Sequence, residues 1–221
     1  NRFNRCLNHK FTDCIITTCN SLKEDYLRNL KIPESKLVNL PGGIDHEFFS
    51  PRERDAIWKD KLNLPEGRLV VGILGRLSPV KGHKYFIQAA EIVLKKFPQT
   101  IFLICGTDAQ ISLRDLKEMV SRMDREENFR FLGKVKDVRE IISLFDVGVV
   151  ASIGSETICR VPLEYMAMVK PVVGTKVNAI PEVVENEVNG FLVDSGDAPQ
   201  MAVAMMRLLE DEQLRQRFGE M

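Results

Sequence analysis

The chain has 221 residues, of which 44% are hydrophobic and 28% are charged, a composition typical of a globular protein with a sizeable core. Its 31 basic side chains are balanced by 31 acidic ones. This balance argues against a nucleic-acid-binding protein, because non-specific binding to a polyanion depends on excess positive charge. No apolar run has the length of a transmembrane helix, and no signal peptide is apparent. The sequence starts at Asn1 without a Met and ends within a helical pattern, so we expect a piece of a longer protein.

The cysteines indicate a reducing compartment rather than a disulfide framework. Their number is odd and no C-x-x-C pair occurs, so we expect a cytoplasmic protein. Cys6, His9, Cys14 and Cys19 suggest a metal cluster as an alternative, but their spacing matches no standard zinc pattern. We favour buried free thiols for the five cysteines, which are Cys6, Cys14, Cys19, Cys105 and Cys159.

The first 68 residues contain too few elements for a complete domain. We interpret residues 1–40 as the end of a preceding domain and residues 41–68, which begin with a Pro-Gly-Gly turn, as a hinge and linker helix. Ser21 and Glu24 have the spacing of a capping box, which predicts that a helix starts there. The predicted elements are strands at 14–19 and 36–40 and helices at 21–30 and 52–62.

From residue 69 to 221, short apolar runs alternate with helical patterns. Strict alternation predicts an α/β domain with a Rossmann-like, doubly wound parallel sheet and helices on both faces. Ligands of such folds bind beyond the carboxyl ends of the strands, where the strand order reverses. The predicted strands are 69–75, 100–106, 129–133, 147–152, 171–175 and 190–193. The predicted helices are 83–98, 111–123, 138–145, 161–168, 180–186, a helix after the N-cap Asp197, and 210–221.

Two positive charges follow the first strand of this domain. Arg76 and Lys81 lie in its loop, and Gly75 and Gly82 relieve steric limits at the two ends. Two cations beside a helix N-terminus suit a phosphate or pyrophosphate. A solvent-exposed loop with two surface cations explains the same residues equally well. Neither the glycine fingerprint of dinucleotide-binding proteins nor a phosphate-loop motif is present, which argues against a dinucleotide oxidoreductase.

Two glutamates flank the start of the helix that contains Pro162. Glu156 follows the strand at 147–152, and Glu164 lies among apolar neighbours in the first turns of the helix. A carboxylate near the switch point can bind a ribose diol, and a second one can hold sugar hydroxyls or a developing positive charge. The alternative is two surface glutamates.

Three further residues have weaker signals. Glu182, in an Ile-Pro-Glu segment, suits a local cap or salt bridge better than a place in the same crevice. His46 and His83 are isolated histidines for which loop and helix-start roles are expected.

Taken in order, these segments resemble the donor-binding half of glycosyltransferase family 4, the retaining group with a GT-B fold. The resemblance covers roughly residue 11 to the end and departs from the family at Gly42, where the hinge motif usually has Asn. The matching segments are the hinge LPGGID at 40–45 with Phe48 or Phe49 after it, GRL at 75–77 with Lys81 and Gly82, FLGKV at 131–135, the E-x7-E element at 156–164 followed by YMA and by PVV at 171–173, AIPEVV at 179–184 and NGFLV at 189–193.

The resemblance implies catalytic roles for Arg76, Lys81 and Glu156. The first two, with Gly75, would bind the diphosphate and stabilise the leaving nucleoside diphosphate, a role that a metal ion fills in other enzymes. Glu156 would lie near the transferred sugar. No metal and no cofactor besides the donor substrate is expected.

The remaining donor contacts also follow from the resemblance. Glu164 would bind the ribose hydroxyls, and backbone groups at Lys134 and Val135 would contact the base. After Glu156 the family commonly has Gly-Phe-Gly, whereas this chain has Thr157, Ile158, Cys159 and Arg160. We expect the backbone amides of Thr157 and Ile158 to serve the sugar and phosphate, without glycine flexibility and with one added cation.

The implied function is transfer of a sugar, with retention, from a nucleoside-diphosphate sugar to a cell-envelope saccharide or lipid-linked acceptor, as in polysaccharide or lipopolysaccharide synthesis. Residues 69–221 would bind the donor, and this chain alone would transfer little or nothing. Membrane contact at the inner face would involve the preceding domain. Two alternatives stay open: a non-catalytic nucleotide-sugar binding module, and another sugar-nucleotide enzyme of this fold, such as an epimerase.

Overall fold

The computed structural model describes residues 11–221 and contains two parallel sheets. A two-stranded sheet pairs Ile16 with Val38, and a six-stranded sheet forms the centre of the C-terminal part. The strands are β1 (Ile15–Thr17), β2 (Leu37–Asn39), β3 (Val70–Leu74), β4 (Ile101–Cys105), β5 (Phe129–Leu132), β6 (Val147–Val150), β7 (Val172–Thr175) and β8 (Gly190–Val193).

The helices of the described residues alternate with the strands of the large sheet. They are α1 (Asn20–Asn29), α2 (Ala56–Lys61), α3 (His83–Lys96), α4 (Leu113–Ser121), α5 (Val138–Ser143), α6 (Arg160–Ala167), α7 (Ile180–Val183), α8 (Ala198–Glu210) and α9 (Glu212–Glu220). Short 3-10 turns occupy Glu34–Lys36, Pro79–Lys81 and Glu126–Asn128. None of these helices is both long and apolar enough to cross a membrane.

The large sheet has the strand order β5-β4-β3-β6-β7-β8, with every pair parallel. This is the order of a doubly wound nucleotide-binding fold. The order reverses between β3 and β6, whose register pairs Val71 with Val147. Loops that leave the carboxyl ends of these two strands therefore face one crevice, as the alternation of elements predicted.

Both faces of the sheet are covered by helices, so its inner strands β3, β4 and β6 are continuous apolar runs. All five residues of β3 and all five of β4 are buried. One apolar cluster joins the sheet to α3, α4, α8 and α9, and the other joins it to α5, α6 and α7. The predicted α/β class with helices on both faces is confirmed.

Several predicted boundaries in the first 68 residues were wrong. Helix α1 begins at Asn20, and its N-cap Cys19 makes no side-chain capping bond, so the predicted Ser21 capping box does not form. Helix α2 begins four residues later than predicted, because Asp55 is its N-cap and accepts a hydrogen bond from the Trp58 amide at 2.9 Å. Arg54, within the predicted helix, instead pairs with Asp146 at 2.6 Å.

Candidate functional site

Two loops meet at the reversal between β3 and β6. The Ile153 amide donates a hydrogen bond to the Val80 carbonyl at 2.8 Å. Gly82 adopts a left-handed φ of +70°, and a Cβ added there would lie 1.8 Å from the Ala151 carbonyl oxygen. Only glycine permits this approach. The close packing brings the loop after β3 beside the loop after β6.

Lys81 and Glu156 form an ion pair at this junction. The Lys81 ammonium lies 2.5 Å from Glu156 Oε2, and the Ser152 hydroxyl donates to the same oxygen at 2.8 Å. The Glu156 side chain is only 10% exposed and that of Lys81 21%. A pair so poorly solvated interacts more strongly than one on the surface. The predicted diphosphate cation and the predicted sugar carboxylate are thus in direct contact.

The backbone after Glu156 is held from two sides. The Glu156 amide donates to Asn178 Oδ1 at 3.2 Å, and the Glu156 carbonyl accepts from the Ala179 amide at 3.0 Å. The Thr18 hydroxyl donates to the Thr157 carbonyl at 2.8 Å. These bonds order the segment whose amides were predicted to serve the donor.

The loop keeps a glycine-like backbone without glycine. Cys159, which stands where the family pattern has its second glycine, has φ +58° and is the N-cap of α6. A left-handed non-glycine residue costs roughly 1 kcal/mol, so the surrounding contacts must hold it there. Cys159 therefore adopts a left-handed conformation that glycine would adopt without this cost.

Two departures from the family pattern contact each other. A Cβ added at Gly42 would lie 2.9 Å from Cγ2 of Ile158, which is itself exposed at the loop. An Asn side chain at residue 42 would require Ile158 to move. The hinge and the loop after Glu156 therefore meet at these two residues.

Glu164 projects from the second turn of α6 and is 8% exposed. Burial raises its pKa above the usual range, and the Arg160 guanidinium, 3.6 Å away, opposes this shift. Glu156, taken as a whole residue, is also 8% exposed. The interpretation of both residues as surface glutamates was therefore wrong. A buried carboxylate with this one ion pair has capacity for further hydrogen-bond donors.

Arg76 lies in a cleft beside this ion pair. The cleft has a volume of about 180 Å³ and crosses the carboxyl ends of β3, β4 and β5; its lining includes Gly75, Arg76, Thr107, Lys134 and Val135. A Cβ added at Gly75 would contact the Lys81 side chain at 3.8 Å, so the cleft and the ion pair are adjacent. Arg76 and Lys134 are exposed and Val135 is half-buried.

Glycine also shapes the cleft at a residue that the motifs did not indicate. A Cβ at Gly106 would lie 1.9 Å from the Gly75 carbonyl oxygen. Ser152, Asn178 and Thr18, which hold Glu156 and its neighbour, were missed as well. Ser152 and Asn178 are polar residues just after β6 and β7, and this position is the signal that could have identified them.

Glu182 was assigned wrongly as a local cap or salt bridge. Its carboxylate accepts the amides of Asn20 at 2.9 Å and Ser21 at 3.0 Å, more than 160 residues away in sequence. It thereby caps α1, which has no capping side chain of its own. Sequence spacing contains no signal for a cap supplied from so far away.

His46 and His83, the histidines among residues 11–221, have no catalytic geometry. His83 is the first residue of α3, as expected, and neither ring nitrogen has a hydrogen-bond partner among the described residues. Burial, with Lys81 as a smaller cause, lowers the pKa of His83 to about 4, so the ring is neutral at physiological pH. His46 is exposed in a turn.

The thiols behave as buried apolar groups where they are enclosed. Burial raises the pKa of Cys105 and Cys159 to about 12. Cys14 is exposed and Cys19 buried, and across residues 11–221 the structure contains no group of three metal-binding side chains. The alternative cluster also involved Cys6 and His9, which lie outside the described residues. Metal independence of the protein stays a prediction.

Fold and site together define a doubly wound α/β protein with charged residues at its topological switch point, an arrangement typical of nucleotide-binding domains. The chain belongs to the family of glycosyl transferases group 1, whose model matches residues 55–221. The predicted family and the GT-B-type α/β fold are thus confirmed.

Relatives and solved structures agree with this assignment. The chain is similar to the UDP-Gal:alpha-D-GlcNAc-diphosphoundecaprenol alpha-1,3-galactosyltransferase of Escherichia coli, with 29% identity over 209 residues, 93% of this chain and 53% of that protein. It also matches Anabaena HepE in complex with UDP and glucose, with a TM-score of 0.88 and 25% identity over 96% of this chain and 58% of that one.

A third similarity is to the C-terminal domain of LpcC, a group 1 family glycosyl transferase from Francisella tularensis. The TM-score is 0.72 and the identity 30%, over 80% of this chain and 93% of that domain. The chain therefore spans nearly all of that isolated domain, whereas it spans about half the length of the curated relatives it matches.

Proposed function

We propose that this chain is the donor-binding part of a glycosyltransferase that uses a nucleoside-diphosphate sugar, with UDP as the nucleotide. The observation that carries the proposal is the Lys81–Glu156 pair at the switch point, 2.5 Å across and adjacent to the Arg76 cleft. UDP is favoured because HepE was solved with UDP and with UDP-glucose, and because the E. coli relative is named for UDP-Gal.

The diphosphate would bind between Arg76 and Lys81. Arg76 is exposed in the cleft and can approach a phosphate through its planar guanidinium. Lys81 would exchange part of its interaction with Glu156 for a phosphate oxygen. Both cations would then stabilise the charge that develops on the leaving UDP, which is why no metal is expected.

Glu164 would accept hydrogen bonds from the ribose diol. Its carboxylate is buried on α6 and forms an ion pair with the Arg160 guanidinium at 3.6 Å. Two hydroxyl donors would satisfy oxygens that burial has removed from water. The base would occupy the cleft, against the backbone of Lys134 and Val135.

Glu156 would lie beside the transferred sugar. A carboxylate there can accept sugar hydroxyls and stabilise the oxocarbenium-like charge that develops at the anomeric carbon. The amides of Thr157 and Ile158 follow it in the ordered loop and would donate to the sugar and the phosphate. We propose transfer with retention, on the family resemblance.

The acceptor would be a cell-envelope saccharide or a lipid-linked saccharide. The E. coli relative is named for a diphosphoundecaprenol-linked acceptor, and the Bacillus subtilis relatives include a spore coat protein. We propose that a preceding domain binds the acceptor and contacts the inner face of the membrane from the cytoplasm. On this view the present chain binds donor but transfers little or no sugar.

Calorimetric titration with UDP, GDP, ADP and their sugars, with and without EDTA, tests the donor site. We expect UDP binding that EDTA does not change, and a loss of roughly ten- to a hundredfold in Arg76→Ala, because a charge-assisted phosphate contact is removed. The matched control is Arg122→Ala, an exposed arginine at the end of α4. Folded wild-type protein that binds none of these nucleotides would contradict the proposal.

A further inference from the structure

The loop that follows Glu156 is hydrogen-bonded to two other segments, and these two segments are also hydrogen-bonded to each other. The three sets of bonds form a closed circuit. One half of the circuit comes from the segment before the large sheet, and the other half comes from the turn that leads into α7. Glu182 is the residue at which the two halves join. None of the roles proposed above uses this carboxylate.

The first half of the circuit involves Thr18, whose hydroxyl donates to the Thr157 carbonyl at 2.8 Å. Two residues further on, the Asn20 amide and side chain both donate to Glu182 Oε2, at 2.9 and 3.0 Å, and the Ser21 amide donates to Oε1 at 3.0 Å. Both carboxylate oxygens of Glu182 are therefore engaged by the start of α1. This is the bonding of an N-cap with a favourable charge at a helix N-terminus.

The second half leads from Glu182 back to the same loop. Glu182 lies on α7, whose first turn follows Asn178 and Ala179. Asn178 Oδ1 accepts from the Glu156 amide at 3.2 Å, and the Ala179 amide donates to the Glu156 carbonyl at 3.0 Å. Glu156 is thus tied to the element that carries Glu182, and Thr157 to the element that Glu182 caps.

The circuit is also anchored to the small sheet. Asn39 donates through Nδ2 to Asn20 Oδ1 at 2.8 Å and accepts from the Thr17 hydroxyl at 3.2 Å. The segment that carries Thr18 is therefore bonded to β2 as well as to Glu182. A displacement of this segment relative to the large sheet would break the Thr18–Thr157 bond directly.

We propose that Glu182 is a positioning residue for the donor site: by capping α1 it holds Thr18 against Thr157 and so fixes the backbone that presents Glu156. Thr18, Asn20, Ser21 and Glu182 are called the brace below. This inference rests on the proposed function, because it concerns how the donor loop is held. It makes part of the donor site's rigidity depend on residues that precede the large sheet.

If the brace positions the loop, substitutions within it should weaken UDP binding by the full 221-residue chain. Thr18→Val and Glu182→Ala each should weaken UDP binding by roughly three- to tenfold, the size of a lost cap. Because both substitutions disrupt the same set of contacts, the double variant should lose little more UDP affinity than either single variant. Glu182→Gln, which keeps one acceptor oxygen, should fall between wild type and Glu182→Ala. Glu185→Gln, an exposed glutamate just after α7, is the matched control.

Amide hydrogen exchange supplies the readout that a purely structural role would not move. The Glu156 and Ala179 amides, which donate to Asn178 Oδ1 and to the Glu156 carbonyl, should exchange faster in Thr18→Val and Glu182→Gln, while amides of β3 keep their wild-type protection. Glu182→Gln and Thr18→Val keep the test usable if Glu182→Ala does not fold.

The outcomes separate the two proposals. Wild-type protein that binds no UDP would overturn the proposed function and this inference with it. Wild-type protein that binds UDP, together with brace variants of unchanged affinity and unchanged exchange, would overturn the inference alone. Fully additive losses in the double variant would also overturn it, because the two residues would then act independently.

Discussion

Lys81 and Glu156 are 75 residues apart in sequence, yet their charged atoms are 2.5 Å apart at the switch point of the sheet. The contact neutralises a poorly solvated carboxylate that would otherwise repel an anionic donor. It also means that the cation predicted for the diphosphate is already engaged before any donor binds. Donor binding is therefore expected to be an exchange of partners at Lys81.

The first prediction concerns this exchange. Glu156→Gln should strengthen the binding of UDP by roughly three- to tenfold, because Lys81 loses the anion that competes with phosphate. Sugar transfer by a protein with both domains should fall at the same time. Calorimetric titration of the variant with UDP measures the first effect, with Glu91→Gln, an exposed residue on α3, as control. Weaker UDP binding in Glu156→Gln would show that the pair does not compete with the nucleotide.

The second prediction concerns the stability of the same pair. Lys81→Met leaves Glu156 buried without its cation and should lower the free energy of unfolding by about 2 kcal/mol. The double variant Lys81→Met/Glu156→Gln should recover most of this loss, because no unpaired charge remains. Urea unfolding of the four proteins in a double-mutant cycle measures the coupling. Equal stability of Lys81→Met and wild type would mean that solvent screens the pair.

The third prediction concerns Gly82. In Gly82→Ala the new methyl group would meet the Ala151 carbonyl, and the residue would keep its left-handed φ, so the two loops must separate. We expect a loss of at least ~2 kcal/mol in unfolding free energy and weaker UDP binding, because Lys81 moves with the loop. Gly154→Ala is the control, since a Cβ there has no neighbour within 4 Å. Similar stability of the two variants would contradict the close approach.

The fourth prediction concerns the end of β3, just before the Arg76 loop. The Leu74 amide donates to the Tyr165 hydroxyl at 2.9 Å in a fully buried environment. Tyr165→Phe leaves that amide unpaired and should cost about 1–3 kcal/mol. Thermal and urea unfolding measure it, with Tyr85→Phe, a half-buried tyrosine on α3, for comparison. An unchanged midpoint in Tyr165→Phe would show that the amide finds another partner.

The fifth prediction is a pH dependence. The pKa of His83 is lowered by burial to about 4, so below about pH 6.5 the unfolded chain binds a proton that the folded protein does not. Stability should therefore fall as pH decreases from 6.5 to 4, by about 3 kcal/mol through this residue. His83→Leu should remove that part of the slope and match wild type at pH 7.5. Parallel pH profiles of the two proteins would show that His83 is protonated in the folded state.

Much of the large sheet could be predicted because its signals are local. Continuous apolar runs such as Val70–Leu74 and Ile101–Cys105 are typical of buried strands, and their alternation with amphipathic patterns implies a parallel sheet. The rule that ligands bind at the carboxyl ends then directed attention to Arg76 and Glu156. The first 68 residues were predicted less well, because α1 has no capping side chain of its own and α2 starts only after its N-cap Asp55.

The sequence alone determined the class of fold, because short-range periodicity is a local signal, and the order of its motifs indicated the family by resemblance. The tertiary structure decided which groups touch: Lys81 with Glu156, Thr18 with Thr157, and Glu182 with the start of α1. Such contacts join residues 75 to more than 160 positions apart. They depend on strand order and on close backbone approaches such as that of Gly82 to Ala151, which arise only when the packed elements meet.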